Sequence, residues 1–140
     1  MLLTKIMVAV DGSEPSLKAV TFASQLAKQN SSKLIMLNVA LLPAFASAKT
    51  IESLRTDLSK RSSELLETAR SAARGASVDA ETRMVETNRS VVQTIIEVSN
   101  HEKPDLLVVG SRGMTPGRLM LGSIAAGVAN LAQCSVLVVR

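Results

Sequence analysis

Gly110, Gly113, Gly117 and Gly122 fall in one segment, GSRGMTPGRLMLGS, directly after the apolar run Leu106–Val109. They are four of the chain's seven glycines, and Ser123 follows the last. Glycine lets backbone N–H groups come close to a ligand and form an anion-binding concavity. Gly122 and Ser123 would also open a helix, where free N–H groups and the positive dipole end favour phosphate. The bland alternative is that the glycines only shape a β-to-α connection. A second candidate is Asp11, which with Gly12 follows the apolar run Ile6–Val10. Its carboxylate suits ligand hydroxyls and would repel phosphate.

Other chemistry is thin. A dinucleotide G-x-G-x-x-G is absent, and GRLMLGS has the glycine spacing of a Walker loop without its Lys, which excludes a Walker-type NTPase. Around the loop stand only Ser111, Thr115, Ser123, Arg112 and Arg118, with Asp11 the one nearby carboxylate. General acid–base or nucleophilic catalysis needs more than this, so no catalytic residue is expected. The single His, His101, precedes Lys103-Pro104 at a helix end and reads as a surface residue. The single Cys, Cys134, reads as a small apolar filler before a buried strand. One of each excludes a disulfide framework, a thiolate cluster and a histidine metal site.

The elements that must position these residues follow from periodicity. Ile6–Val10, Leu34–Val39, Val78–Val85, Leu106–Val109 and Val136–Val139 read as strands. Four are nearly continuous apolar runs, as strands buried on both faces of a parallel sheet are. The third alternates, with Asp79, Glu81 and Arg83 opposite Val78, Ala80, Thr82 and Met84, which predicts an edge strand with one wet face. Between them lie helical patterns. Ala19, Phe22, Ala23 and Leu26 mark the first, with Pro15 in its opening turn. The second spans about Ile51 to Arg74 with Leu54, Leu58, Leu65, Ala69 and Ala72 inward. Val92, Ile95, Ile96 and Ser99 mark the third. The fourth starts near Gly122 or Ser123 and turns Ile124, Val128 and Leu131 inward. Leu41–Thr50 reads as a loop. Strands alternating with crossover helices predict one α/β domain over residues 1–140, a doubly wound parallel sheet whose ligands sit beyond the carboxyl strand ends.

Composition narrows the partners. There are 140 residues, with two Phe and no Tyr or Trp. The stacking platform of single-stranded nucleic-acid binders is therefore missing. The net charge of +4 comes from 16 basic and 12 acidic residues. Between Ile51 and Arg74 the two signs mix as on a solvated helix, so neither nucleic acid nor a membrane surface is expected. No run is long enough to span a membrane, and the N-terminal apolar run is broken at Lys5 and stopped at Asp11, too early for a secretory signal. The expected location is cytoplasmic.

The opening KIMVAVDGSEPS, the strand LIMLNV, the segment PDLLVVGSRG, the loop end LGS and the terminal AQCSVLVVR resemble the universal stress protein family over essentially the whole chain. The family's nucleotide motif is G-x2-G-x9-G-[ST]. Gly110 and Gly113 match its first part, and Gly122 with Ser123 its second. Met114–Leu121 supplies eight residues where the motif has nine, with Gly117 placed to absorb the difference. The resemblance implies a Rossmann-like sheet of order 3-2-1-4-5, bound ATP and a homodimer paired through the last strand, residues 135–140; any ATP turnover would be slow, aided by Mg²⁺ held through the phosphates rather than by protein carboxylates. By position it implies that Asp11 contacts the ribose and that the Val39 backbone meets adenine. Val109 and Gly110 would line the pocket, while Gly113, Gly122, Ser123 and Ile124 face the phosphates. On their chemistry Arg112 and Arg118 either add charge there or are solvated surface residues. Three functions follow as expectations: an ATP-binding stress-response sensor or regulator, a homodimeric interaction module that binds no nucleotide, or a slow ATP hydrolase.

Overall fold

The computed structural model describes residues 2–112 and 120–140. Five strands, β1 (Lys5–Ala9), β2 (Lys33–Leu41), β3 (Ala80–Thr87), β4 (Leu106–Gly110) and β5 (Ser135–Val139), form a sheet of order β3-β2-β1-β4-β5. Every pairing is parallel. β1 is central, with Met7 between Ile35 on one side and Leu107 on the other, and Ile6, Met7 and Val8 are wholly buried. Burial from both faces is why the sequence shows continuous apolar runs rather than alternation.

Four helices cross over: α1 (Glu14–Asn30), α2 (Ala48–Gly75), α3 (Val91–Glu102) and α4 (Ser123–Leu131). The serines at 13, 47 and 90 cap the first three, each side chain accepting an N–H bond from three residues on. α1 and α2 cover one face of the sheet, where Ile6, Val8, Leu34 and Met36 meet Ala19, Ala23, Ala27, Leu66, Ala69 and Ala73. Met7, Ile35, Leu37 and Leu107 meet Ile95, Ala125 and Val128 of α3 and α4 on the other. α3 and α4 approach so closely that a Cβ on Gly127 would lie 2.9 Å from Val92.

The structure corrects several sequence expectations. The inner face of α1 is Ser16, Ala19, Val20, Ala23 and Ala27, and Phe22 is half exposed. On α2 it is Ser62, Leu66, Ala69 and Ala73, with Ala72 outside. On α4, Ala125 and Val128 go inward while Ile124 and Leu131 stand exposed. On α1 and α4 smaller side chains take the sheet-facing side, because a helix lies closer to a sheet over Ala and Ser than over Phe or Leu; on α2 Leu66 goes inward and the small Ala72 stays out, so the turn of the helix decides. The expected loop 41–50 shrinks, since β2 runs to Leu41, the Leu42 N–H still donates to the Thr87 carbonyl, and α2 begins at Ala48.

β3 is an edge strand as expected, but its charged face is not simply wet. Glu81 is held between Lys33 (3.0 Å) and Arg83 (2.7 Å), and Arg83 also reaches Glu102 of α3 at 3.5 Å. These side chains stay partly in water while paired, and Met84 on the other face is exposed as well.

At the amino end of the sheet, Asp105 accepts bonds from the Thr4 hydroxyl and from the backbone N–H groups of Lys5 and Thr4. These bonds, the Thr4 hydroxyl first, hold its carboxyl below the usual aspartate range. A folded-state pKa below the unfolded value of about 3.9 contributes stability above that pH, lost as pH falls through the folded pKa. Asp105→Asn should therefore melt below the wild type at pH 7, with the gap closing in scans below about pH 4. A gap independent of pH would exclude this role for the charge.

Candidate functional site

The strand order reverses between β1 and β4, whose crossovers leave for opposite edges of the sheet. Beyond their carboxyl ends lies a cavity of about 270 Å³. Ala9, Val10, Leu37, Val39, Val109 and Gly110 supply strand ends, Val91 and Ile95 of α3 an apolar wall, and residues 122–125 the first turn of α4. Asp11, Ser16 and Arg112 add polar groups.

Asp11 is set by a local network. Its Oδ1 accepts from both the N–H and the hydroxyl of Ser13, while its own N–H donates to Ser16 Oγ at 3.0 Å. The Ser13 hydroxyl oxygen in turn caps α1. Gly12 between them has φ +84°, a left-handed turn, and a Cβ there would press on Leu65 Cδ1 at 2.9 Å. The other carboxylate oxygen, Oδ2, has no hydrogen-bond donor among the described residues.

The two glycines of the segment among the described residues, Gly110 and Gly122, differ in kind. Gly110 is forced by packing: a Cβ there would lie 2.7 Å from the Pro15 carbonyl carbon and 2.8 Å from Ser16 N. Gly122 is different. Its backbone is extended (φ −66°, ψ 164°), it starts α4, and it offers no side-chain cap. The Ala126 N–H donates to the Gly122 carbonyl, whereas the N–H groups of Ser123, Ile124 and Ala125 have no partner among the described residues. The loop base is cinched, with the Gly122 N–H donating to the Ser111 carbonyl and the Ser111 N–H to Val139.

The fold thus brings Asp11, Val39, Val109, Gly110, Arg112, Gly122, Ser123 and Ile124 to one cavity. Gly113 and Arg118 lie outside the described residues. Ser16, Leu37, Val91 and Ile95 went unforeseen. Val91 and Ile95 share a helix face at i, i+4, but only the packing of α3 shows that this face ends at the cavity. His101 is exposed in the last turn of α3, ahead of β4. Cys134 packs in the α3/α4 layer, 3.8 Å from Ser99 Oγ. Among the described residues no three His, Cys, Asp or Glu gather as a metal site, and no helix is long and apolar enough to cross a membrane.

A doubly wound parallel sheet with its cleft at the switch point defines the open α/β class. Within that class the chain belongs to the universal stress protein family, whose model matches residues 3–140. Universal stress protein YxiE of Bacillus subtilis (strain 168) is 32% identical over 147 residues, covering 97% of this chain and 98% of its own. Among solved structures, universal stress protein UspA from Lactobacillus plantarum superposes with a TM-score of 0.89 at 23% identity, over 100% of this chain and 99% of that one. A universal stress protein solved in complex with cAMP gives 0.78 at 31% identity, with the same coverage.

Proposed function

We propose that this chain binds ATP in the cavity between β1, β4 and α4 and acts as a stress-response sensor or regulator, not as a metabolic enzyme. The observation that carries the reading is the start of α4, without a side-chain cap, whose first three N–H groups have no partner among the described residues and whose first turn lines the cavity that Asp11 borders. The apolar strand ends and α3 wall suit a base, with the backbone of Val39 available to read adenine. The Asp11 carboxylate suits the ribose hydroxyls, and the α4 N-terminus, with Ser123 and Arg112, suits phosphate. A relative with 31% identity was solved in complex with cAMP, which shares the adenine base with ATP. Mg²⁺ would be held through the phosphates and supply charge neutralisation there. Asp11 and Arg112 are the ionisable groups among the described lining residues, a poor set for turnover and a sufficient one for binding.

The test is a calorimetric titration of nucleotide-stripped protein with Mg·ATP, with AMP and GTP as controls. Micromolar ATP binding, tighter than AMP and GTP, is expected. No heat with any nucleotide, and no shift in melting temperature, would replace this reading with that of a nucleotide-free interaction module.

The proposal includes a homodimer formed through β5. That strand ends the sheet, so its outer edge has no partner strand among the described residues. Leu131 on the adjoining α4 is 55% exposed, which is costly for an apolar side chain left in water. A twofold-related β5 would satisfy the edge without open-ended growth. Removal of Val136–Arg140 should leave a monomer in sedimentation equilibrium, and a truncated chain that still sediments as a dimer contradicts this interface. The regulator would work in the cytoplasm.

A further inference from the structure

Asn38 is an amide buried in an apolar layer, 7% exposed, on the opposite face of β2 from Val39. Its Nδ2 donates to the Val10 carbonyl at 2.8 Å, and its Oδ1 accepts from the Ser62 hydroxyl of α2 at 2.6 Å. Ser62 is itself buried, at 4% exposure. The Val10 carbonyl and the Asp11 N–H belong to one peptide unit, which is planar and stiff. Asn38 therefore holds the oxygen side of that plane, while Ser16 Oγ of α1 holds the N–H side. With both ends fixed, the plane holds the Asp11 N–Cα bond, and the Ser13 bonds to Oδ1 hold the side chain that departs from it. Asn38 does not line the cavity, so any effect on a ligand passes through Asp11.

We infer that Asn38 and Ser62 are positioning residues for Asp11: through the Val10–Asp11 peptide they aim its carboxylate at the ribose hydroxyls and tie α2 to the nucleotide site. This rests on the nucleotide reading above. A free amide in an apolar layer is tolerated only when its donors and acceptors are used, and here they are used on the strand end that carries Asp11. The two hydrogen bonds link α2, through Asn38 of β2, to the peptide that follows β1.

The test compares ATP with its 2′-deoxy and 3′-deoxy analogues by calorimetry. Asp11→Ala defines how much of the wild-type preference for ATP comes from the carboxylate, expected to be about tenfold for a charged hydrogen bond. Asn38→Leu should lose most of that preference while its affinity for the deoxy analogue stays within about twofold of wild type. Added to Asp11→Ala it should cost no further preference. Ser62→Ala should show a partial loss and Ser62→Thr should restore it, which keeps the idea testable if Asn38→Leu does not fold. Without ligand, the Asp11 and Ser13 amides should exchange hydrogen faster in Asn38→Leu and Ser62→Ala than in the wild type. An unchanged preference in both variants, or equal loss for ATP and the deoxy analogues, would overturn the positioning role while leaving nucleotide binding intact. Wild-type protein that binds ATP no better than either analogue would overturn it too. Wild-type protein that binds no nucleotide at all overturns the function proposed above and this inference together.

Discussion

Gly110→Ala should lower the urea midpoint of unfolding by the equivalent of about 3 kcal/mol, the upper part of the range for forcing atoms into a packed core. The single added carbon would lie 2.7 Å from the Pro15 carbonyl carbon, 2.8 Å from Ser16 N and 2.9 Å from Pro15 Cβ. Two of these atoms are backbone in the first turn of α1, so no side-chain rotation relieves the clash. β4 and α1 must separate at the point where the cavity begins. Against a total stability of about 5–15 kcal/mol, that is a large fraction. ATP affinity should fall as well, since Ser16 and the Asp11 turn ride on the same stretch of α1. Native stability in this variant combined with lost ATP binding would mean that Gly110 serves the ligand and not the fold.

Gly122→Asp should split stability from binding in the opposite sense. The Gly122 backbone, at φ −66° and ψ 164°, suits an N-cap residue of any type. An aspartate there could bond the first-turn N–H groups of α4 and complement its dipole, worth a few tenths of a kcal/mol over Gly. The melting temperature should hold or rise slightly. The same carboxylate would occupy the place proposed for phosphate and meet like charge at roughly 4 Å, where repulsion at surface-like dielectric is about 4 kcal/mol. Screening reduces this, and a loss in ATP affinity of about a hundredfold is expected by calorimetry, roughly 2.7 kcal/mol. Unchanged affinity would show that the α4 N-terminus is not the phosphate site.

The contrast between these glycines shows how far the residues could be read in advance. Spacing marked Gly110 and Gly122 as one feature, and both border the cavity. Their roles separate only when α1 is seen lying on Gly110, a contact between residues about a hundred positions apart. Helix faces show the same limit. In α2, Ala69, Ala72 and Ala73 are alike to any hydrophobicity pattern, and the sheet accepts Ala69 and Ala73 while leaving Ala72 in water. Phe22 looked like an anchor for α1, yet Ala19, Ala23 and Ala27 let the helix lie closer to the sheet than a Phe would. On β3 the charges looked wet because the strand alternates, but Glu102 of α3 was not yet in view as a partner for Arg83.

By itself the sequence determined the strands, their parallel sense and the presence of Asp11 and the glycine segment at strand ends, because burial on both faces writes continuous apolar runs; the strand order was implied by the resemblance to the family. The tertiary structure alone decided which helix faces are buried, that α3 walls the cavity, that Gly110 is a packing glycine, and that Asn38 and Ser62 hold the peptide behind Asp11. Those are outcomes of distance and orientation between segments remote along the chain, and a local pattern carries neither.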